Sequence, residues 1–338
     1  MSEKCGKCSR IGVLERPFAP TPVCPLSCGG SDNELWIKRD DLLPFSFGGN
    51  KARKAAEFYR DILEKQPDVI MTYGSHASNH CRIIANMAAA MGLPCHILSP
   101  EEKPEEKPEE DRTELFNARM VREFGAKTET VPVEQVASRI EQRKKEYLAE
   151  GMKPYFIMGG GHGDLGTAAY VKCWDEIVMQ QQSMHTKFDY IFHASGTGTT
   201  QAGLICGKIM ADGQQAADPR IVGISIARPN PRGGDVVRES VKSYLGETFG
   251  SRFREDELIF DDRYRCGGYG QGQDIVRETI RRVMQTDGIP LDPYYTGKAF
   301  RGMLQYLQDN HISGRRILFI HTGGTPLYFD SIREEKIG

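Results

Sequence analysis

No apolar run in this chain approaches the roughly 18 residues that a membrane-crossing helix needs. The N-terminus, Met1-Ser2-Glu3-Lys4-Cys5, lacks the basic-then-apolar order of a secretory leader. Positive charge is not in surplus either. The 44 basic residues face 46 acidic ones, a formal net of −2, where a general nucleic-acid binder carries a basic excess or stripe. These absences predict a cytoplasmic protein with no membrane and no nucleic-acid partner. What is present is length: 338 residues suffice for two domains with substantial cores.

Cysteine is scarce and odd in number, nine in all. Cys95, Cys173 and Cys206 sit in apolar stretches and read as small buried hydrophobes or free thiols of a reducing compartment. Cys5, Cys8, Cys24 and Cys28 form C-x2-C-x15-C-x3-C, close to zinc-ribbon spacing. Packing of Cys24 and Cys28 around the turn at Pro25 explains the second pair equally well.

Strands and helices alternate along the chain, which predicts an α/β protein with mostly parallel sheets flanked by helices. Strands are expected at 68–73, 94–98, 128–133, 155–158, 190–194, 221–227 and 316–321. Helices are expected from Arg82 to Met91, Leu115 to Phe124 and Glu134 to Gly151, and from Gln201 onward. Residues 101–110 (EEKPEEKPEE) repeat a charged, proline-punctuated unit and read as a solvated excursion.

Three segments carry chemistry. Ser195-Gly196-Thr197-Gly198-Thr199-Thr200-Gln201-Ala202-Gly203 follows an apolar strand and precedes an apolar helix. Its N–H groups and hydroxyls can converge on one phosphate. It has neither the P-loop lysine nor the G-x-G-x-x-G spacing, so ATP or a dinucleotide is not its natural ligand. A purely structural Gly/Thr turn remains open. In the second segment, Lys51 follows Gly48-Gly49-Asn50 at a helix start, where burial would make its amine a Schiff-base nucleophile. Arg53 and Lys54 read as the solvated cations of that helix. The third, Ser75 to Arg82 (SHASNHCR), is a polar turn that could bind a carboxylate or simply cap a helix.

Taken together, Lys38-Arg39-Asp40-Asp41-Leu42, Phe47-Gly48-Gly49-Asn50-Lys51 and Ser78-Asn79-His80 resemble the 1-aminocyclopropane-1-carboxylate deaminase / D-cysteine desulfhydrase family. The likeness continues through Tyr269-Gly270-Gln271, Leu291 to Ala299 and His321-Thr322-Gly323-Gly324, and spans roughly residues 13 to 328. It implies a two-domain fold-type II pyridoxal-phosphate enzyme, related to the tryptophan synthase β chain. Residues 1–51 and 161–338 would form the larger cofactor-binding domain and 52–160 the smaller, with the active site in the cleft between them. A homodimer is implied as well.

The same resemblance implies roles. Lys51 would bind the pyridoxal phosphate covalently and then act as the proton-transfer base. Asn50 would contact the phenolic oxygen, and Gly196, Thr197, Gly198, Thr199 and Thr200 the phosphate. Ser78, Asn79 and His80 would take the carboxylate of a small amino-acid substrate, with Ser78 also placed for catalysis. Tyr295 and Tyr269 would line the catalytic site.

Within the family the motifs point two ways. Ring-opening deaminases carry a glutamate after the tyrosine that corresponds to Tyr295, where it contacts the pyridine nitrogen. Here that place is Thr296, and His80 replaces a glutamine. Both resemble the desulfhydrase side. Thr322 is the first expected contact of the ring nitrogen and Thr296 the second. Thr197 to Gly203 is closer to the deaminase version of the phosphate loop. Gly159 to Asp164, with His162 where small polar residues are usual, and Cys81 fit neither. The expected activity is β-elimination from D-cysteine or a related amino acid, giving a keto acid and ammonia. Ring-opening deamination, a β-replacement synthase and a non-catalytic cofactor- or amino-acid-binding protein are the alternatives.

Overall fold

A computed structural model describes residues 9–28, 32–101, 114–211 and 219–334. Most of the 101–110 repeat and the Cys5/Cys8 pair lie outside the described residues.

The chain divides into two compact units. The larger comprises Phe18–Lys54 and His162–Gly338, the smaller Met1–Pro17 and Ala55–Gly161. The expected boundaries therefore need correction, because the segment ending at Pro17 belongs to the smaller unit. The reason is local. Ser9 N–H donates to the Met91 carbonyl at 2.9 Å and Ile11 N–H to the Tyr59 hydroxyl at 3.0 Å. Leu14 is fully buried.

Among the described residues, ten strands form two sheets. β1 (Val23–Pro25), β2 (Glu34–Lys38), β7 (Tyr190–Ser195), β8 (Arg220–Ser225), β9 (Ile259–Asp261) and β10 (Arg316–Ile320) belong to the larger unit. Their order is β1-β2-β10-β7-β8-β9, parallel except for the antiparallel edge strand β1. β3 (Val69–Tyr73), β4 (Cys95–Pro100), β5 (Lys127–Val131) and β6 (Pro154–Phe156) build the smaller, all-parallel sheet in the order β5-β4-β3-β6.

The central strands are apolar on both faces because helices cover both. In β7, Phe192 packs on one face with Ile224, Met303 and Phe319, while Ile191 packs on the other with Trp174, Leu204 and Leu318. Each such side chain contributes about 1.5–3 kcal/mol by leaving water. Gly203 and Gly207 let their helix approach the helix Asp164–Ser183 closely. A Cβ at either would lie within 2.5 Å of Tyr170 or Trp174.

The helix Asn50–Lys65 begins the candidate site. Its start is fixed by a run of left-handed residues, Ser46, Phe47, Gly48 and Gly49. Gly49 N–H donates to the Asp40 carbonyl at 2.7 Å, and a Cβ on Gly48 would meet the Asp41 carbonyl oxygen at 2.3 Å. The helix ends where Gln66 turns left-handed before Pro67, which cannot continue it.

Candidate active site

A buried ion network anchors the loop that leads to Lys51. Asp40 accepts from Arg53 Nε (3.0 Å) and Nη2 (2.7 Å), from Tyr170 (2.8 Å) and from Thr21 (2.8 Å). Glu176 accepts from Arg53 Nη1 (2.6 Å) and from Lys38 Nζ (2.9 Å). Burial alone would raise the Asp40 pKa, but the Arg53 guanidinium, with Lys38 and Thr21, brings it down to about 2.

This overturns the expectation that Arg53 and Lys54 are solvated. They are 5% and 1% exposed. Lys54 donates to Thr199 Oγ1 at 2.6 Å, and burial together with the neighbouring Lys51 holds its pKa well below the ordinary lysine value. Lys51 itself is lowered to about 8 by burial, so about a tenth of the amine is neutral at pH 7, far more than in an exposed lysine, and a Schiff-base nucleophile needs that neutral form.

Asn50 and Lys54, one residue before Lys51 and three after it, tie this helix start to the turn after β7. Asn50 Nδ2 donates to Thr200 Oγ1 at 3.1 Å. The helix Thr199–Met210 opens at Gly198, whose φ of 90° suits glycine. Two carbonyls of the turn are held by side chains. Gly196 O accepts from Arg228 Nη1 at 2.8 Å and Thr197 O from His162 Nδ1 at 3.0 Å, which fixes the tautomer with the proton on Nδ1. No described residue accepts from the N–H groups of Thr197, Gly198, Thr199 or Thr200. Free N–H donors at the start of a long helix, beside a buried lysine, fit a phosphate.

His193 lies in β7 ahead of this turn, fully buried, with its pKa lowered to about 4 by burial despite its bond to the Ala194 carbonyl. It is neutral and adds no charge to the turn.

Thr322 follows β10. Its carbonyl accepts from Asn50 N–H at 3.0 Å, and a Cβ on Gly49 would meet that carbonyl oxygen at 2.6 Å. Its hydroxyl has no partner among the described residues, and the residue is 8% exposed. His321 donates from Nε2 to the Pro290 carbonyl at 2.8 Å and accepts from Gly323 N–H at 3.2 Å, which sets the turn.

Thr296 is different. Its hydroxyl donates to Asp292 Oδ2 (2.7 Å) and accepts from Asp292 N–H (2.8 Å). Asp292 also takes the N–H groups of Tyr294, Tyr295 and Thr296. The Thr296 hydroxyl is thus committed to capping the helix Thr296–Asp309, which corrects its expected contact with a ring nitrogen. Tyr269 and Tyr295 do come together, hydroxyl to hydroxyl at 2.8 Å. The buried Lys298 ammonium donates to the Gly268 carbonyl and holds the loop that carries Tyr269.

In the smaller unit, Ser78 caps the helix Asn79–Met91, with Oγ accepting from Cys81 N–H at 3.2 Å. Cys81 is a buried thiol, its pKa pushed up to about 11 by burial. The His80 side chain points elsewhere than expected. Thr72 gives its hydroxyl proton to the Ile157 carbonyl at 2.8 Å, so His80 Nε2–H donates to Thr72 Oγ1 at 2.8 Å. That bond ties the Nε2 side of the ring to β3.

The zinc expectation finds no support among the described residues, where no three His, Cys, Asp or Glu side chains cluster to hold a metal. Cys28 packs against Asp287, and burial with that carboxylate pushes its thiol up to about 12. Cys5 and Cys8 lie outside the described residues.

A buried lysine at the head of one helix and an open N–H cup at the head of another match a known family. Residues 14–323 fit the family described as pyridoxal-phosphate dependent enzyme. The chain belongs to it. Pyridoxal phosphate is its cofactor, and the architecture is the fold-type II, tryptophan-synthase-β-like one. It is 34% identical over 307 residues to D-cysteine desulfhydrase of Yersinia enterocolitica, covering 88% of each chain. A Pyrococcus horikoshii protein provisionally named 1-aminocyclopropane-1-carboxylate deaminase is 35% identical over 295 residues, 86% of this chain and 84% of that one. The crystal structure of an ACC deaminase homologue superposes with a TM-score of 0.77 at 31% identity, covering 95% of this chain and 97% of the other.

Lys54 escaped sequence reasoning although a signal was there. It stands three residues after Lys51, on the same helix face.

Proposed function

We propose that this pyridoxal-phosphate enzyme is a β-eliminating lyase that converts D-cysteine, or a related small β-substituted amino acid, into a keto acid and ammonia. The observation that carries this reading is the Thr322 hydroxyl, buried and hydrogen-bonded to no carboxylate among the described residues. The one carboxylate of the neighbouring motif, Asp292, is consumed by three backbone N–H groups and the Thr296 hydroxyl. A carboxylate at the ring nitrogen would keep it protonated and deepen the electron sink. A threonine hydroxyl donates to an unprotonated nitrogen. The shallower sink suits a reaction in which the β-group leaves soon after the proton. The name of the Yersinia relative agrees.

In this scheme Lys51 would hold the cofactor, the 196–200 turn and Lys54 would hold its phosphate, and the Thr322 hydroxyl would serve its ring nitrogen. Bound there, the cofactor withdraws electrons from the substrate Cα. Ser78 Oγ, the Asn79 amide and the N–H groups of Asn79 and His80 bind the substrate carboxylate. Lys51 Nζ takes the Cα proton. The sulfur departs with the C–S electron pair and takes a proton from the Tyr269–Tyr295 pair, leaving as hydrogen sulfide. The released enamine becomes an imine, which adds water to yield the keto acid and ammonia.

Ring-opening deamination is the second reading, favoured by the 31% identical homologue structure. Incubating the purified holoprotein with D- and L-cysteine, β-chloro-D-alanine and 1-aminocyclopropane-1-carboxylate separates them, with sulfide, keto acid and ammonia measured. Sulfide from D-cysteine with little ring opening is expected, and efficient turnover of the cyclopropane overturns the reading. Turnover of none points to a binder or to a synthase without its co-substrate.

The cytoplasm is the proposed location. The seven described cysteines are all free thiols, and no described helix is long and apolar enough to cross a membrane. The proposed assembly is a homodimer, which the family resemblance supports and sedimentation tests.

A further inference from the structure

Asn117 is fully buried in the helix Phe116–Glu123, and no motif includes it. Its amide orientation is fixed from two sides. A guanidinium only donates, so the atom that meets Arg82 Nε at 2.8 Å is Oδ1. A carbonyl only accepts, so the atom that meets Ala77 O at 2.9 Å is Nδ2. The second Nδ2 hydrogen goes to Asn79 at 3.0 Å, and the receiving atom must be Asn79 Oδ1. Arg82 Nη2, at 3.4 Å from that same oxygen, agrees.

The Asn79 amide is therefore held with its oxygen toward Asn117 and Arg82 and its Nδ2 turned away from them. No described residue accepts from that Nδ2. It belongs to the first residue of the helix Asn79–Met91, next to the capping hydroxyl of Ser78.

We propose that Asn117 is a positioning residue for the substrate. It keeps the Asn79 amide turned so that its two N–H bonds, and not its oxygen, meet the carboxylate of the amino acid. The bond to Ala77 O holds the preceding turn in the same act. The inference rests on the reading of the Ser78–His80 turn as the carboxylate site and adds the residue that sets its polarity.

Two variants of the holoenzyme test it. Asn117→Ala removes the amide. Asn117→Asp keeps an acceptor for Arg82 but presents oxygen to Ala77 O and Asn79 Oδ1, which favours a turned Asn79 amide. Both should raise KM for D-cysteine roughly tenfold to a hundredfold, the weight of a hydrogen bond to a charged group, with kcat much less affected. Binding of 2-aminoethanethiol, which is cysteine without its carboxylate, should be unchanged when followed by the visible spectrum. In an Asn79→Ala background, Asn117→Ala should add little, because both changes remove one interaction.

An unchanged KM in both variants overturns the assignment. So does an equal loss for the carboxylate-free amine, or full additivity with Asn79→Ala. Should neither Asn117 variant fold, Asn79→Ala alone decides, since it spares the buried amide, and an unmoved KM refutes the role. Failure of the underlying reading shows earlier and separately. If the unmodified holoenzyme changes its spectrum with no D- or L-amino acid, the carboxylate site is wrong and the Asn117 role falls with it.

Discussion

The turn after β7 in the larger unit and the Ser78–His80 turn in the smaller each open a helix, yet their surroundings differ. Beside the first, a lysine lies buried at bonding distance from the helix's own first hydroxyl, Lys54 to Thr199. At the second, the bonding groups are neutral: a serine cap, backbone N–H and an asparagine amide. Arg82 reaches them through Asn117 and, at 3.4 Å, through the Asn79 side-chain oxygen itself. Burial lowers the Arg82 pKa to about 9, so even this group is less committed to its charge than an exposed arginine. The contrast follows from what each anion must do. A cofactor phosphate stays through many turnovers and gains from a desolvated cation. A substrate carboxylate has to arrive and leave each time, and neutral donors recognise it without holding it.

The largest effect expected is at the amine proposed to hold the cofactor. Lys51→Ala should abolish the visible absorbance of bound cofactor and lower turnover by at least about a thousandfold. Retained absorbance would move the attachment to another lysine and dissolve the comparison. Next comes the buried network beneath it. Arg53→Met leaves Asp40 and Glu176 buried without their guanidinium and should destabilise the protein by roughly 3–5 kcal/mol, read as a lower denaturant midpoint.

The Asp40 shift also predicts an acid limit. Its folded pKa of about 2 lies below the ordinary aspartate value of 3.8. Its contribution, on the order of 2 kcal/mol, is therefore present above pH 4 and lost as the pH falls toward 2. A flat stability profile over that window would count against the network.

Lys54→Met sharpens the contrast directly. Cofactor affinity should drop by about tenfold to a hundredfold while KM for D-cysteine at saturating cofactor barely moves. A matching rise in KM would mean that the two anion turns are not separable. The smallest effect is kinetic. Capture of pyridoxal phosphate by the cofactor-free protein needs the neutral amine of Lys51, so its rate should climb with pH up to about 8 and then level off. A rate that keeps rising to pH 10 would mean an ordinary, solvated lysine.

Much of this fold could be read from the chain. β3, β4, β7, β8 and β10 are apolar runs closed by glycine or polar turns, and such runs identify themselves. β1 and β9, three residues each, could not be read, whereas the equally short β6 could, because the glycines at 159–161 close it. β2, Glu34 to Lys38, escaped because its end merges with the Lys38-Arg39-Asp40-Asp41 motif. The site was legible where glycine spacing imposes geometry, as at Gly48-Gly49 and Gly196 to Gly198. It was illegible where a side chain's partner lies far along the chain. Nothing local to Thr296 announces that Asp292 takes its hydroxyl, or that Thr72 takes the His80 ring. Asn117 is a single asparagine in an ordinary helix, and its meaning comes only from what surrounds it.

The junction of Gly49 with Thr322 has a further consequence for how such an enzyme can change. The amine-bearing helix start and the β10 turn touch through backbone alone, Asn50 N–H on Thr322 O with Gly49 pressed against it. Backbone contacts thus help set the spacing between the residue proposed to hold the cofactor and the hydroxyl proposed to meet it. Replacing neighbouring side chains can therefore reshape what the enzyme accepts without altering how its cofactor is seated. A lineage carrying this junction is free to vary its substrate while the seat remains constant, and the glycine is the position where that freedom stops.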